Sequence, residues 1–241
     1  MTTTFSAAAA EAKIYEMRTY YAPEGKLDAL HARFRDHTTK LFEKHGIENV
    51  GYWVPVENKD NKLVYIIAHP SREAAKKNWG AFFADPDWKK AAAESEKDGK
   101  IVAKVEAVWM EKTDYSMDPK PEVASGGRVF EFRTYTTPAN GVAAINERFR
   151  DHTIKLFEKH GMKNVVYFNR MKDQPAADAT LFYILSHKDQ SAAKASFDTF
   201  RKDPIWIAAK EASEKKAGGS LTAPDGVKSE FYKATDYSPI R

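Results

Sequence analysis

The chain copies itself. Tyr15-Glu16-Met17-Arg18-Thr19-Tyr20 recurs as Phe130-Glu131-Phe132-Arg133-Thr134-Tyr135, and Arg33 to Gly46 recurs as Arg148 to Gly161 with one change, Thr39 to Ile154. Leu63-Val64-Tyr65-Ile66 returns as Leu181-Phe182-Tyr183-Ile184, and Asp85-Pro86-Asp87-Trp88 as Asp203-Pro204-Ile205-Trp206. Thr113-Asp114-Tyr115-Ser116 returns as Thr235-Asp236-Tyr237-Ser238. The spacing lengthens twice, in polar stretches near Asp173 to Asp178 and Ala217 to Gly226, where insertions extend surface loops without disturbing the elements. The expected organisation is therefore a tail over 1–12, one repeat over 13–116, a Pro-, Gly- and Ser-rich linker over 117–127, and a second repeat over 128–238. A module of that size gains stability by packing against its copy.

Within one repeat, Ile14 to Tyr20 alternates like a strand. A helix is expected from Pro23 to about His45, with Leu27, Leu30, Phe34, Leu41 and Phe42 on one apolar face and Gly46 as its left-handed stop. Val50 to Val56 and Leu63 to Ala68 form a hairpin through the polar turn Glu57 to Asn61. Ser71, matched by Asp189, is placed to cap a second helix that carries Trp79, Phe82 and Phe83. Asp85-Pro86 restarts the helix as a cap and first-turn pair, and Ile101 to Glu111 is the last strand. The order β-α-β-β-α-β is the ferredoxin-like split unit, an α+β fold. Its sheet leaves one face bare. Yet Leu63, Tyr65 and Ile67 point one way while Val64, Ile66 and Ala68 point the other, so the strand is apolar on both sides and must be buried on both. The other copy is the available cover, which predicts tandem ferredoxin-like repeats forming a dimeric α/β-barrel inside one chain. The alternative is two separate modules that each pair with another chain, so both a monomer holding a pseudo-dimeric barrel and a homo-oligomer fit the pattern.

The net charge of +4 comes from charges mixed along the helices, which leaves no electrostatic footprint for nucleic acid. Without cysteine there are no disulfides, no thiol catalysis and no cysteine-ligated metal. No run of apolar residues is long enough to span a bilayer. Ala7 to Ala10 resembles the end of an export signal that lacks its basic and apolar regions, so 1–12 reads either as a signal remnant, implying a periplasmic protein, or as a disordered tail, leaving a cytoplasmic one open.

The Tyr-Glu-Met-Arg-Thr-Tyr opening, the helix ending Phe-Arg-Asp-His-Thr…Glu-Lys-His-Gly, the Gly51-Tyr52-Trp53 strand and the Asp-Pro-x-Trp turn together resemble the NIPSNAP family, across Lys13 to Ser116 and Arg128 to Ser238. The resemblance implies membership of the dimeric α/β-barrel group, which includes haem-degrading monooxygenases, chlorite dismutase-like haem proteins and small isomerases. It implies no settled reaction: the family's eukaryotic members are linked to mitochondria and to protein-partner roles.

Several residues are candidates for a site. If Met17 and Phe132 face the helices, Glu16, Arg18 and Tyr20, with Glu131, Arg133 and Tyr135, point between the sheets. Arg18 and Arg133 would then either orient an anionic or carbonyl-bearing ligand or form internal ion pairs with Glu16 and Glu131. Helical spacing turns His37 and His152 toward the sheet, as a general base, an axial haem ligand or a hydrogen-bonded core histidine. His45 and His160 read as helix-end residues; His69 and His187 read as helpers of the next helix cap. Tyr52 and Tyr167 are candidate ligand contacts among many aromatics. His37 and His45 lie about 12 Å apart along one helix axis and cannot share a metal; no Gly-x-Ser-x-Gly turn or phosphate loop is present. Two functions follow. The first is binding of a small apolar or anionic molecule in a cleft between the first helix and the sheet of each repeat, as a haem-linked or cofactor-independent enzyme. The second is a non-catalytic scaffold or protein-interaction module, with Arg18 and His37 paired internally and no cleft.

Overall fold

The structure, a computed structural model, describes residues 13–124 and 127–241. The tail over 1–12, with the export-signal reading, lies outside the described residues. In the first repeat β1 (Ile14–Tyr21) leads to α1 (Leu27–Arg33), which runs through a π-helical turn (Phe34–Thr38) into α2 (Thr39–Lys44). The hairpin β2 (Glu48–Pro55) and β3 (Lys62–His69), the helices α3 (Arg72–Ala84) and α4 (Pro86–Ser95), and β4 (Lys104–Lys112) complete it. The second repeat gives β5 (Val129–Thr136), α5 (Val142–Arg148), a second π-helical turn (Phe149–Thr153), α6 (Ile154–Lys159), β6 (Lys163–Arg170), β7 (Thr180–His187), α7 (Gln190–Phe200), α8 (Pro204–Ala217) and β8 (Val227–Ala234).

The local chemistry behaves as the residues dictate. The Ser71 and Asp189 side chains accept from Ala74 N at 3.1 Å and Ala192 N at 2.7 Å. Asp85 and Asp203 each accept from the backbone two residues on at 2.8 Å, ahead of Pro86 and Pro204 in the first turn. Gly46 and Gly161 sit at φ of 71° and 78° just beyond the helix ends.

All eight strands join in one antiparallel closed barrel in the order β1-β3-β2-β8-β5-β7-β6-β4. The copy does cover the bare face, and it does so by edge-to-edge closure, which removes free strand edges altogether. β3 shows why closure is required. Its Val64, Ile66 and Ala68 belong to the barrel interior with Trp53, Met110, Phe132, Phe168 and Phe182, while Leu63, Tyr65 and Ile67 belong to the layer under the helices with Leu30, Phe34, Phe42 and Phe82.

The seams between repeats are short. β2 meets β8 over three residue pairs, Trp53 to Pro55 against Tyr232 to Ala234, and β4 meets β6 over three, Met110 to Lys112 against Phe168 to Arg170. The repeated Thr-Asp-Tyr-Ser segment extends each seam by crossing onto the other copy. Asp236 takes a bidentate pair from Arg35 at 2.7 Å and 2.7 Å, and Asp114 takes one from Arg150 at 2.8 Å and 2.6 Å. Ser238 Oγ accepts from Tyr52 N and Ser116 Oγ from Tyr167 N, both at 2.9 Å. The Tyr237 hydroxyl meets His31 at 2.8 Å, and the Tyr115 hydroxyl donates to Asn146 at 2.7 Å. Each repeat thus holds the other by a reciprocal strap.

Inside the barrel the two copies reach the same packing with different residues. Gly51 and Trp53 in β2 correspond to Val166 and Phe168 in β6, beside a bulge at Asn49/Gly51 and at Asn164/Val166. A Cβ on Gly51 would sit 2.1 Å from the Trp53 ring. Glycine with tryptophan therefore replaces valine with phenylalanine at roughly conserved volume. Gly51→Val alone is expected to lower stability by about 1–3 kcal/mol through overpacking. The double change Gly51→Val with Trp53→Phe, which installs the second repeat's own pair, is expected to recover most of it. Denaturant titration of the two single variants and the double variant measures that coupling; additive losses would refute the compensation.

Candidate functional site

The β1 row of Glu16, Arg18 and Tyr20 faces the helices, the reverse of the orientation that would have aimed it between the sheets. Met17 and Phe132 instead pack in the barrel interior. Both faces of these strands are apolar enough to be buried, so alternation alone does not say which one lies inside. In the first repeat Glu16 accepts from Arg18 Nη1 at 2.5 Å and from Trp79 Nε1 of α3 at 2.9 Å, while the Arg18 guanidinium lies 4.7 Å from the Trp79 ring centroid. In the second, Glu131 accepts from Arg133 Nη1 at 2.5 Å, from Ser229 Oγ at 2.5 Å and from His187 Nε2 at 3.0 Å. Trp79 and Ser229 stand where the other copy has Phe197 and Ala107, so each carboxylate gains one neutral donor from a different element.

Burial by itself would raise the carboxyls of Glu16 and Glu131. Around Glu16 the neighbouring His69, Arg18 and Trp79 outweigh it, and around Glu131 His187, Arg133 and Ser229 do, so both are held below the ordinary carboxylate range. Burial pulls Arg18 and Arg133 down as well, and the surrounding tyrosines with Glu16 or Glu131 more than restore the cation. These are closed ion pairs beneath α3 and α7. His187 joins its pair rather than capping the following helix, while His69 stands beside Glu16, its Nε2 3.7 Å from Oε2 and both its ring nitrogens without a hydrogen-bond partner among the described residues; both rings are about 1% exposed.

His37 and His152 are exposed rather than turned to the sheet. The π-helical turns explain it. A π turn closes i→i+5 and inserts one residue, so the face that α-helical spacing assigned to His37 and His152 passes to Thr38 and Thr153. Those threonines are buried and donate to the carbonyls of Arg33 and Arg148 at 3.1 Å. His45 and His160 do lie at helix ends, where their Nε2 atoms meet Asp85 Oδ2 at 2.6 Å and Asp203 Oδ2 at 2.8 Å and tie α2 to α4 and α6 to α8.

The cleft expected between the first helix and the sheet is filled by side chains. Phe34, Phe42, Tyr52, Tyr65 and Phe82 are fully buried there in mutual contact, as are Phe149, Phe157, Tyr167 and Tyr183 in the copy. Tyr52 and Tyr167 donate to Asn49 and Asn164, and burial keeps both phenols far above their ordinary range, so neither contacts open space. A haem finds no fit. Its axial histidine needs a flat apolar chamber, whereas His37 faces solvent, His152 borders a groove of about 290 Å³, and His69 and His187 are enclosed. Among the described residues no group of three or more His, Asp or Glu side chains is placed to hold a metal ion, and no helix is long and apolar enough to cross a membrane.

Open volume exists at one end of the barrel. There Met17, Val64, Phe132, Phe182 and Tyr232 wall a cavity of about 550 Å³. Thr19 and Thr134 face it from β1 and β5, and Lys62, Lys228 and Glu230 stand at its rim. Glu230 takes the Tyr232 hydroxyl at 2.5 Å and lies 3.4 Å from Lys62 Nζ. At the opposite end Glu122 pairs with Ile240, and a second space of about 490 Å³ lies beside Phe130, Ser186 and Ile240 with Asp118, Lys120 and Arg241 around it. The mouth residues escape notice in the sequence because they alternate with helix-facing ones. The one available signal was Lys228-Ser229-Glu230, charged at every second residue of a strand that should be apolar inside.

The NIPSNAP family profile matches residues 15–117 and 130–239, one match per repeat. A provisionally named monooxygenase from Fusobacterium nucleatum subsp. nucleatum superposes with a TM-score of 0.59 at 11% identity, over 94% of this chain and 94% of that one. Another from Lactobacillus acidophilus NCFM superposes at 0.57 and 13% identity, over 95% and 98%. A NIPSNAP family protein with unknown function from Agrobacterium tumefaciens is 24% identical over 45% of this chain and 95% of its own, with a TM-score of 0.40. At these identities the solved structures bear on the fold alone. None of the curated protein sequences compared with the chain is similar to it.

Arg133→Met tests whether the Glu-Arg pairs are structural. It strands a buried carboxylate and is expected to cost about 3–5 kcal/mol at neutral pH in denaturant unfolding. Because the folded state depresses the Glu131 carboxyl, the pair's contribution is full above the unfolded value near 4.3 and disappears as pH falls through the folded value. The gap between wild type and variant should therefore narrow below about pH 4. A variant of wild-type stability that lost only ligand binding would make Arg133 a ligand clamp instead.

Proposed function

The chain belongs to the NIPSNAP family, and on that footing we propose that it binds a small amphipathic molecule in the open end of its barrel. The supporting observation is the cavity itself. About 550 Å³ lies within the size range of small-molecule sites, and barrel mouths are a recurrent place for them. Its chemistry is graded with depth. Aromatic and aliphatic side chains form the walls, two threonine hydroxyls stand at mid-depth, and lysines and a glutamate form the rim. Such a lining suits a ligand with an apolar body and a polar or anionic head that remains near Lys62 and Lys228.

The helix-facing residues contribute rigidity in this reading. Glu16 ties β1 to α3 through Trp79, Glu131 ties β5 to β7 and β8 through His187 and Ser229, and Arg133 packs on the Phe197 ring of α7. The same internal pairing of Arg18 is what a non-catalytic interaction module would show, and that remains the second reading. An enzymatic role would need a reacting group in the mouth, where Tyr232, Glu230 and Lys62 are the titratable side chains in contact with one another.

The aromatic sulfonate 1-anilinonaphthalene-8-sulfonate carries the right combination of flat apolar body and anionic head. Saturable, one-to-one fluorescence enhancement is expected with the native protein, and Thr134→Trp, which fills the mouth, should weaken it roughly tenfold or more. No saturable binding, or equal binding by Thr134→Trp at unchanged thermal stability, would favour the interaction-module reading.

A further inference from the structure

The end of the barrel opposite the mouth is built differently in the two repeats. In the second, Arg128 precedes β5 and lies half-buried against the end of β7. It donates from Nε to Ser186 Oγ at 2.6 Å and from Nη2 to the Ser186 carbonyl at 3.0 Å. Ser186 is buried, so the guanidinium is anchored from below, while its Nη1 is left open, without a partner among the described residues. In the first repeat the corresponding residues are Lys13 and Ala68, and Lys13 makes an exposed ion pair with Glu48 at 2.5 Å.

Two spaces meet at Arg128. One, of about 490 Å³, has an apolar floor of Phe130, Val165 and Ile240. The other, of about 510 Å³, is bordered by Lys188 and Lys233. β5 runs between β7 and β8, with Val129 paired to His187 on one side and to Lys233 on the other, so Arg128 stands between the two lysines. Both lysines are exposed, and neither makes an ion pair among the described residues. The acidic side chains around the two spaces are already taken: Asp118 by Lys112, Glu122 by Lys163 and Asp236 by Arg35. Where the second repeat carries Lys188 and Lys233, the first carries Pro70 and Glu111. Duplication alone leaves like charges in like places; here a lysine and a glutamate have given way to an arginine and two lysines.

We propose that this end of the barrel binds a phosphate monoester of a small apolar alcohol. The phosphate sits at Arg128 between Lys188 and Lys233, and the organic group lies on Phe130, Val165 and Ile240. A single exposed lysine contributes little, but several like charges without acidic partners attract an anion together. The Ser186 contacts hold one edge of the guanidinium and leave the other to meet phosphate oxygens in charge-assisted hydrogen bonds. A doubly charged head fits three cations better than a carboxylate does. Fully buried Trp53 and Phe168 fill the barrel interior, which leaves room for a short organic group and none for a pair of acyl chains. The site is separate from the mouth and does not rest on the ligand proposed there.

Calorimetric titration of the full chain with phenyl phosphate, beside inorganic phosphate and benzoate, tests it. Saturable binding of phenyl phosphate is expected, with each comparator roughly tenfold weaker or more for want of the organic group or the second charge. The double variant Arg128→Lys with Ser186→Ala installs the pair with which the first repeat already folds, and it should weaken binding roughly tenfold or more. Lys233→Glu, an exposed change to the first repeat's residue, should weaken it by a similar factor at an unchanged melting temperature. Thr134→Trp should leave it unchanged. Phosphatidylcholine vesicles carrying phosphatidic acid should not sediment the protein, which separates a soluble ester from a membrane headgroup. No binding by the wild type, equal binding of inorganic phosphate or benzoate, or full binding in both the double variant and Lys233→Glu would each overturn the assignment. So would capture by the vesicles, or loss in Thr134→Trp alone, which would move the ligand to the mouth.

Discussion

Every other feature depends on a pair of strands that cannot tolerate water on either side. β3 is buried from Leu63 to His69 and β7 along its whole length, with one row of side chains under the helices and the other inside the barrel. A single ferredoxin-like unit can satisfy only the first row. Closure with the second unit satisfies the other, and the energetic weight falls on the interior cluster around Trp53, Phe132, Phe168 and Phe182, since burial of such side chains is the dominant favourable term in folding. The seams themselves add little ladder. Three register pairs on each side would be a weak joint without the Thr-Asp-Tyr-Ser straps that carry a bidentate ion pair, a tyrosine and a serine cap across each one.

That geometry changes the meaning of the most repetitive segment. The stretch from Arg33 to Gly46 and its copy from Arg148 to Gly161 are nearly identical, which invites the idea of two equal active sites. Much of that identity answers to assembly. Arg35 and Arg150 receive the straps, Thr38 and Thr153 close the π turns, and His45 and His160 clamp the caps of α4 and α8. The mouth is one place where the copies part company. There Lys62, Val64, Glu230 and Tyr232 correspond to Thr180, Phe182, Val108 and Met110 of the other copy. Duplication preserved the scaffold and left the cavities free to diverge.

How far the residues foretold this can be traced element by element. The repeat, the strand order, the double burial of β3, the Ser71, Asp189, Asp85 and Asp203 caps and the Gly46 stop were all legible, because each follows from period, turn chemistry or self-comparison. Two expectations failed for definite reasons. The helix-facing direction of Glu16 and Arg18 could not be read because alternation has a period but no absolute sense when both faces are apolar. The inward direction of His37 and His152 failed because a single inserted residue in a π turn rotates everything around it while leaving the amino-acid pattern helical. Tyr52 and Tyr167, expected as ligand contacts, lie in the filled aromatic layer under the helices. The mouth depends on how eight strands close into one ring, and no linear motif encodes it.

The straps and short seams also describe a tether. A strap recognises Arg35 or Arg150 of whichever repeat stands opposite, and the linker over 117–127 ensures that the sister repeat is nearest, at an effective concentration on the order of millimolar for a short connection. Each strap therefore finds its receptor on the same polypeptide, and the weak three-pair seams need hold only against the small entropy that a short connection leaves its two halves.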